Sequence, residues 1–348
     1  MPQGGTSTYP TLAQQSVLTI GTFDGVHLGH VELLKVAKAK ADRTGSKTGQ
    51  TVRTVALAFD PHPGATLAPG NEPARLTTFQ HRSSLLRKAG ADEVVQLKPT
   101  PALLSLTPVE FVHRILLPYN PVYIVEGSDF HFGKGRAGNV DVLKDLGMSQ
   151  PPSSQFDVEV VPPVPTVLND HTIVRASSTI ARWLLTNGRV DDAARVLGRW
   201  HEVEGIVEKG DQRGRTIGFP TANITTTCMV PADGVYAAIA QIPQPGQTAL
   251  DDANQRFVAA AVSIGHKPTF GNSSFAVEAH ILDDRNQHGT SQIIAALPPY
   301  GWNMRLRFVA WVREQIRYDS LDPLLEQMQR DCTNIQQTLD AHAHIASV

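Results

Sequence analysis

The sequence predicts a two-domain α/β protein: an N-terminal domain on a parallel sheet, then a C-terminal antiparallel β-barrel with a terminal α-helix. Three observations predict this. Up to about residue 187, short apolar runs alternate with helical stretches, as in strand–helix–strand units. From Val203 onward, apolar residues recur with period two in short segments separated by turns, the pattern of a closed antiparallel sheet. Near the end, Leu325, Met328, Cys332, Ile335 and Leu339 step by threes and fours along one helical face. A chain of 348 residues is long enough for two cores, and the change of period places the boundary near Asn187 and Gly188, giving domains 1–187 and 188–348.

Residues 16–20 are β-formers that Gly21 ends, and 31–41 repeat apolar residues at helical spacing. Gly21-Thr22-Phe23-Asp24-Gly25-Val26-His27-Leu28-Gly29-His30 joins them at the strand's carboxyl end. In parallel sheets ligands bind at that end, and the N–H groups of a helix start attract anions, so phosphate is the expected ligand. Gly21 and Gly25 let the backbone turn tightly beside it. His27 and His30, on one side of the first helical turn, can donate to phosphate oxygens and stabilise charge that grows during phosphoryl or nucleotidyl transfer. Two other readings stand beside this one. The pair can be half of a metal site, although no third ligand with metal spacing follows, or surface histidines on an ordinary turn.

A polar loop is expected at 44–49, and 52–59 form a buried strand that ends in Asp60-Pro61-His62-Pro63. Prolines stop ladder pairing, so this loop lies on the same sheet edge as the first motif if the strands are parallel. Residues 76–86 read as a helix capped by Thr77 or Thr78, 91–97 as a strand, and 108–116 as a helix opened by Pro108. The strand at 121–125 runs into a glycine-rich basic turn, 126–136, where Asp129 can hold a ribose or amino group and Lys134 or Arg136 a phosphate. At 175–182, hydroxyls meet a helix start; Ser178 and Thr179 are good N-cap types, and Arg182 one turn on completes a second anion site. Simple capping is the alternative there.

A helix at 190–199 ends at a glycine, and strands follow at 204–208, 235–240, 257–262, 275–281 and 304–312, with 216–224 as a candidate sixth. Residues 210–223 lack the Walker sequence. Gly210, Gly214 and Gly218 can still present N–H groups to a polyphosphate, and Thr221 with Asn223 offers oxygen ligands suited to Mg²⁺; a plain hairpin turn is the alternative. A kinase acting on an alcohol also needs a base, and Glu278 in its alternating strand is the candidate. Otherwise it is a solvent-facing strand glutamate.

Composition narrows the partners. Basic and acidic residues number 31 and 33, for a net charge of −2, so nothing points to nucleic acid or a membrane surface, and small molecules are expected. Cys228 and Cys332 are too few for a disulfide framework and suit a reducing cytosol, so a cytoplasmic location is expected. The polar N-terminal segment does not read as a signal peptide, and no apolar stretch is long enough to span a bilayer.

The segment G-x-F-D-G-x-H-x-G-H resembles the nucleotidylyltransferase signature of prokaryotic bifunctional riboflavin kinase/FAD synthetases. Further motifs of that family follow in its order: F-x-P-H-P at 59–63, G-x-D-F-x-F-G-x-x-R at 127–136, S-S-T-x-x-R at 177–182, G-R-T-I-G-F-P-T-A-N at 214–223, and P-T-F-G with V-E-x-H at 268–271 and 277–280. Two departures are visible. Ala181 stands where the family usually has isoleucine, and residues 285–299 are longer than its usual link.

The resemblance implies a Rossmann-like nucleotidylyltransferase domain with a flavokinase barrel after it. It implies nucleotide contacts at Gly21, Phe23, Asp24, Gly25, Asp129, Arg175, Ser178 and Thr179, with His27, His30 and Arg182 in the adenylyl-transfer chemistry. Phe59 and His62 would lie toward the flavin. In the kinase it implies Gly210, Gly214, Arg215, Gly218, Phe219 and Pro220 at the nucleotide, Thr221 and Asn223 at Mg²⁺, and Glu278 as base. The expected reactions are riboflavin plus ATP to FMN and ADP, and FMN plus a second ATP to FAD and pyrophosphate. Alternatives are one retained activity, or a flavin-binding regulator with decayed catalysis; a decayed site would be expected to lose His27, His30 or Glu278, and all are present. Oligomeric state and flavin-ring contacts stay open.

Overall fold

The structure, a computed structural model, describes residues 14–210, 214, 217–267, 272–282 and 296–342. Its first unit takes in the chain up to Pro73 together with Phe79–Val164, and its second takes in Ala74–Thr78 together with the chain from Pro165 onward. That division falls earlier than the change of sequence period near Asn187.

The first unit follows strand–helix order. It runs β1 (Ser16–Gly21), α1 (Leu28–Thr48), β2 (Arg53–Phe59), a short α2 (Gly64–Leu67), α3 (Phe79–Lys88), β3 (Glu93–Leu97), a short α4 (Pro101–Leu104) and α5 (Pro108–Phe111). β4 (Pro121–Gly127), the hairpin β5 (His131–Phe132) and β6 (Gly138–Asn139), α6 (Val140–Met148) and β7 (Asp157–Val161) complete it. Five strands form one parallel sheet in the order β3-β2-β1-β4-β7. The apolar strands bury both faces, as a parallel sheet requires. Leu18, Ile20, Val55, Leu57 and Ile124 pack against Phe111, Val112, Leu116 and Leu143. Val17 and Val125 point the other way, onto Leu33, Ala37 and Ala41 of α1. Burying a side chain such as Leu18 contributes about 1.5–3 kcal/mol.

One expected loop is helix. α1 continues through residues 44–48 and ends at Gly49, whose φ of 71° is left-handed and whose N–H bonds the Gly45 carbonyl at 2.9 Å. Gly45 is tolerated because the chain folds back over it: a Cβ there would lie 2.8 Å from the Gln50 carbonyl. The expected helix at 108–116 starts with a capping box between Thr107 and Glu110, then loosens into a π-turn over Val112–Leu116.

The second unit opens with the hairpin β8 (Pro165–Val167) and β9 (Ile173–Arg175), then α7 (Ser178–Thr186) and α8 (Val190–Leu197). β10 (His201–Glu208), β11 (Ala222–Thr225), β12 (Gly234–Ile242), β13 (Arg256–Lys267), β14 (Asn272–Leu282) and β15 (Asn303–Arg313) close an antiparallel barrel in the order β10-β11-β14-β13-β12-β15. Met304, Leu306 and Phe308 alternate with Arg305, Arg307 and Val309 along β15. Phe308 meets the Tyr236 ring edge-on at 5.5 Å, and both are fully buried. On the outer face, α9 (Leu321–His342) packs Ile335 and Leu339 against Val235, Ala237 and Val309. Segment Ala74–Thr78 belongs here too. Arg182 Nε donates to the Ala74 carbonyl at 2.6 Å, Met229 N–H to the Arg75 carbonyl at 2.6 Å, and Thr78 Oγ1 to Glu204 at 2.7 Å.

Candidate active site

In the first unit the carboxyl ends of β1, β2 and β4 lie on one edge, because these strands are parallel. The chain leaves β1 for β2 and β3 on one side and returns to β4 on the other, so the sheet order reverses between β1 and β4. Ligands of open α/β sheets bind in the crevice at such a point. The turn after β1 is strained: Phe23 has φ 50° and Val26 φ 39°, left-handed values that cost non-glycine residues on the order of 1–3 kcal/mol each. Burial of both side chains holds the turn in place.

That turn delivers His27 to the N-cap of α1, where its Nδ1 accepts the Gly29 N–H at 3.1 Å. The cap fixes the tautomer, since an accepting Nδ1 puts the neutral ring's hydrogen on Nε2. His30 stacks on His27 with centroids 3.6 Å apart and meets the Phe23 ring edge-on at 5.1 Å. Asp24 is buried in the same turn. A Cβ on Gly21 would sit 3.2 Å from the Phe23 ring, so glycine admits that ring.

Two buried side chains that sequence reasoning missed brace this edge. Arg82 of α3 donates to the Thr22 carbonyl at 2.6 Å and pairs with Asp60, tying the turn after β1 to the loop after β2. Glu126 occupies the switch point itself. Backbone pairing of β1 with β4 stops at Leu18 and Ile124, and the Glu126 carboxyl accepts the Ile20 N–H at 2.6 Å. Burial holds its pKa well above the usual carboxyl range, against the lowering effect of the Ile20 hydrogen bond. No local pattern marks either residue.

Phe59 ends β2 packed against the core, and the loop after it turns His62 so that its Nδ1 accepts the Gly64 N–H at 2.9 Å. Asp129 is exposed just past β4, and its carbonyl holds His131 Nδ1 at 2.8 Å. The remaining expected residues of this group lie in the second unit: Arg175 ends β9, and Ser178 and Thr179 open α7. Their role as caps is corrected. Ser177 is the N-cap, with Oγ accepting the Ile180 N–H at 3.2 Å, because the chain is still extended at that residue.

The barrel carries the second group. Phe219 N–H bonds the Gly214 carbonyl at 2.8 Å, and a Cβ on Gly214 would come within 2.2 Å of the Phe219 carbonyl. Gly218, with φ 83°, makes the turn between them. His280 Nδ1 lies 2.7 Å from the Pro220 carbonyl, and its ring packs on Phe219 at 5.3 Å. Asn223 lies directly across from Glu278 on the neighbouring strand. Opposite residues of an antiparallel pair share a face, so these two side chains are neighbours. A Cβ on Gly210 would come within 2.1 Å of the Asn223 amide, so only glycine lets that side chain lie there. Hydroxyl and amide oxygens at Thr221 and Asn223 are hard donors, a set that fits Mg²⁺ shared with a nucleotide's phosphates. Arg215, residues 268–271 and most of the long link, 283–295, lie outside the described residues.

Fold and site together define a two-domain, nucleotide-dependent transferase, with one crevice at the switch point of a parallel sheet and one glycine-rich turn on a barrel. Residues 10–177 match the FAD synthetase family and residues 197–339 the riboflavin kinase family. Proteins named bifunctional riboflavin kinase/FMN adenylyltransferase are similar along most of their length. The one from Listeria monocytogenes is 30% identical, and that from Escherichia coli 31%, each match covering 90% of both chains. The Bacillus subtilis protein is 28% identical over 91% of this chain and 90% of its own. A solved structure described as a macrolide-efflux protein from Streptococcus pneumoniae superposes with a TM-score of 0.71 at 27% identity, covering 93% of this chain and 94% of that one. The chain belongs to the family of bifunctional riboflavin kinase/FMN adenylyltransferases.

Proposed function

We propose that the two reactions divide between the two motif groups, with FMN made by residues 188–348 and FAD by residues 1–187. The observation that carries the kinase half is Asn223 beside Glu278 at the end of the glycine-rich turn. Glu278 takes the proton of riboflavin's terminal ribityl hydroxyl. The freed oxygen attacks the γ-phosphorus of ATP, the bond to the bridging oxygen breaks, and ADP leaves. Gly210, Gly214 and Gly218 bring backbone to the phosphates, while His280 steadies Phe219 and Pro220 around them. Thr221 and Asn223 would hold Mg²⁺, which would supply charge neutralisation there.

In adenylyl transfer the FMN phosphate is already an anion and needs no base. His27 donates from Nε2 to a phosphate oxygen, and His30 beside it stabilises charge as pyrophosphate departs. The tautomer imposed by the α1 cap supports this assignment. The S-S-T-x-x-R resemblance supports Arg175, Ser178, Thr179 and Arg182 as further phosphate ligands, and Phe59 and His62 as flavin-side residues. A cytoplasmic site of action fits these substrates.

One incubation tests the whole scheme. Riboflavin, ATP and Mg²⁺ are mixed with the full chain, and products are separated by chromatography. FMN should rise first and FAD after it. FMN without FAD, or neither product, refutes it.

A further inference from the structure

Beyond Leu18 the parallel sheet divides. β1 keeps its pairing with β2 as far as Gly21, across from Ala58, and β4 keeps its pairing with β7 as far as Gly127, across from Val161. Between β1 and β4 the ladder runs only from Ser16 to Leu18, which leaves the last three residues of each strand, 19–21 and 125–127, on either side of an opening. Thr19, Ile20, Val125 and Glu126 are buried there, and a buried N–H needs a partner. The Ile20 N–H donates to the Glu126 carboxyl at 2.6 Å, so one side chain spans the opening where a continuous ladder would offer a backbone carbonyl. Ile20 leads straight into the turn that carries His27. Arg82 ties that turn, at the Thr22 carbonyl, to the loop after β2 on one side of β1, and Glu126 ties its root to β4 on the other. The left-handed backbone of Phe23 and Val26 persists only where its surroundings over-determine it, and these two holds do so from opposite sides.

We propose that Glu126 is a positioning residue for adenylyl transfer: it props β1 and β4 apart at the crevice and fixes the root of the β1–α1 turn, and through that turn the direction in which His27 meets the phosphate. The proposal rests on His27 acting in that step. A carboxyl group suits the place. Its length carries an acceptor from β4 across to the Ile20 N–H. Burial also favours its protonated form, so the strut adds no negative charge beside a crevice that receives phosphates. Glutamine keeps both the length and the acceptor, aspartate keeps the carboxyl but is one methylene short, and methionine keeps the length without the acceptor. Once the acceptor is gone or withdrawn, the Ile20 N–H is satisfied by β1 closing on β4 or by water entering the opening, and either one shifts the root of the turn.

The test uses the full chain. FAD formation from FMN and ATP is measured for wild type, Glu126→Gln, Glu126→Asp, Glu126→Met, His27→Asn and the Glu126→Asp/His27→Asn double variant. Thermal melting reports that each is folded, and FMN formation from riboflavin is the control that should not move. Glu126→Asp and Glu126→Met should each lower kcat for FAD by about tenfold to a hundredfold, the cost of a reacting group displaced by on the order of 1 Å. KM for FMN and ATP should stay within about threefold, because the lost interaction is with the turn and not with either substrate. Glu126→Gln should stay within about twofold of wild type in both constants. The double variant should be no slower than His27→Asn alone, since a ring that has been removed cannot be misplaced. Wild-type rates in Glu126→Asp, a Glu126→Gln as slow as Glu126→Asp, or losses that multiply in the double variant each overturn the positioning role while leaving His27 in the reaction. If Glu126→Met melts below the assay temperature, the comparison of Glu126→Asp with Glu126→Gln decides in the same way. Undiminished FAD synthesis by His27→Asn overturns the assignment of His27 and this proposal with it.

Discussion

Replacing His27 by asparagine separates the two tasks its ring performs. Nδ1 caps α1 by accepting the Gly29 N–H, and Nε2 carries the hydrogen that the proposed reaction uses. Asparagine is among the best N-cap residues, so His27→Asn should keep the cap and stay within about 0.5 kcal/mol of wild-type stability. It has no donor where Nε2 lies. Losing one donor to developing charge typically removes about 2.7–4 kcal/mol of transition-state stabilisation, or about a hundredfold to a thousandfold in rate. FAD formation from FMN should fall by that factor. His27→Ala should show the same kinetic loss and also forfeit the cap, about 1 kcal/mol, which lowers Tm by roughly 2–4 °C in a unit of this size. Chromatography of FMN and FAD reads the rates, scanning calorimetry reads Tm, and FMN formation from riboflavin is the internal control. Undiminished FAD synthesis by His27→Asn would refute the Nε2 assignment. An equal loss of both activities would point to general damage instead.

Glu278→Gln should reduce kinase turnover by about two to four powers of ten, with riboflavin binding nearly unchanged and FAD synthesis from FMN intact; near-normal FMN production would return Glu278 to an ordinary strand residue. Glu126→Gln should change how stability varies with pH. The buried carboxyl keeps its proton in the folded state, while the unfolded chain ionises it above the ordinary carboxyl range, so the wild type is favoured most at low pH and loses stability as pH rises toward the raised folded value. Melting from about pH 4 to about pH 8 should show the Gln variant gaining on wild type as pH rises, and a constant difference would refute the burial argument. Arg82→Met should destabilise the first unit by about 3–5 kcal/mol, because it strands the Asp60 carboxylate. Arg82→Met combined with Asp60→Asn should recover part of that loss in thermal melts, and no recovery would mean the pair is not the cause.

What could be read from the chain follows the range of the forces involved. The β1–α1 joint was legible because glycines, apolar periods and a helix start are local signals, and the barrel because period two persists through its strands. The terminal stripe was legible for the same reason, with Ile335 and Leu339 buried as it predicts. Distant partners were not. Ile20 and Glu126 are 106 residues apart in sequence, and Arg82 lies 60 residues from Thr22. Composition around Glu126 suggests a strand and nothing more. Gly45 looked like a loop residue because its reason for being glycine is the Gln50 carbonyl folding back over it. Adjacent hydroxyls at 177–179 left the cap ambiguous, and backbone angles decided for Ser177.

The excursion of Ala74–Thr78 into the second unit has a consequence for biosynthesis. A ribosome finishes these residues long before Glu204 and Met229, which bond them, exist. At about 5–20 residues per second, roughly 8–30 s separate Thr78 from Met229. Through that interval the first unit can mature around a stretch of chain whose own partners have not been made. An open reading frame starting at codon 165 or later therefore encodes a barrel that must do without its early-made segment, and moving the second unit whole into another protein would mean carrying five residues from the far side of the sequence along with it.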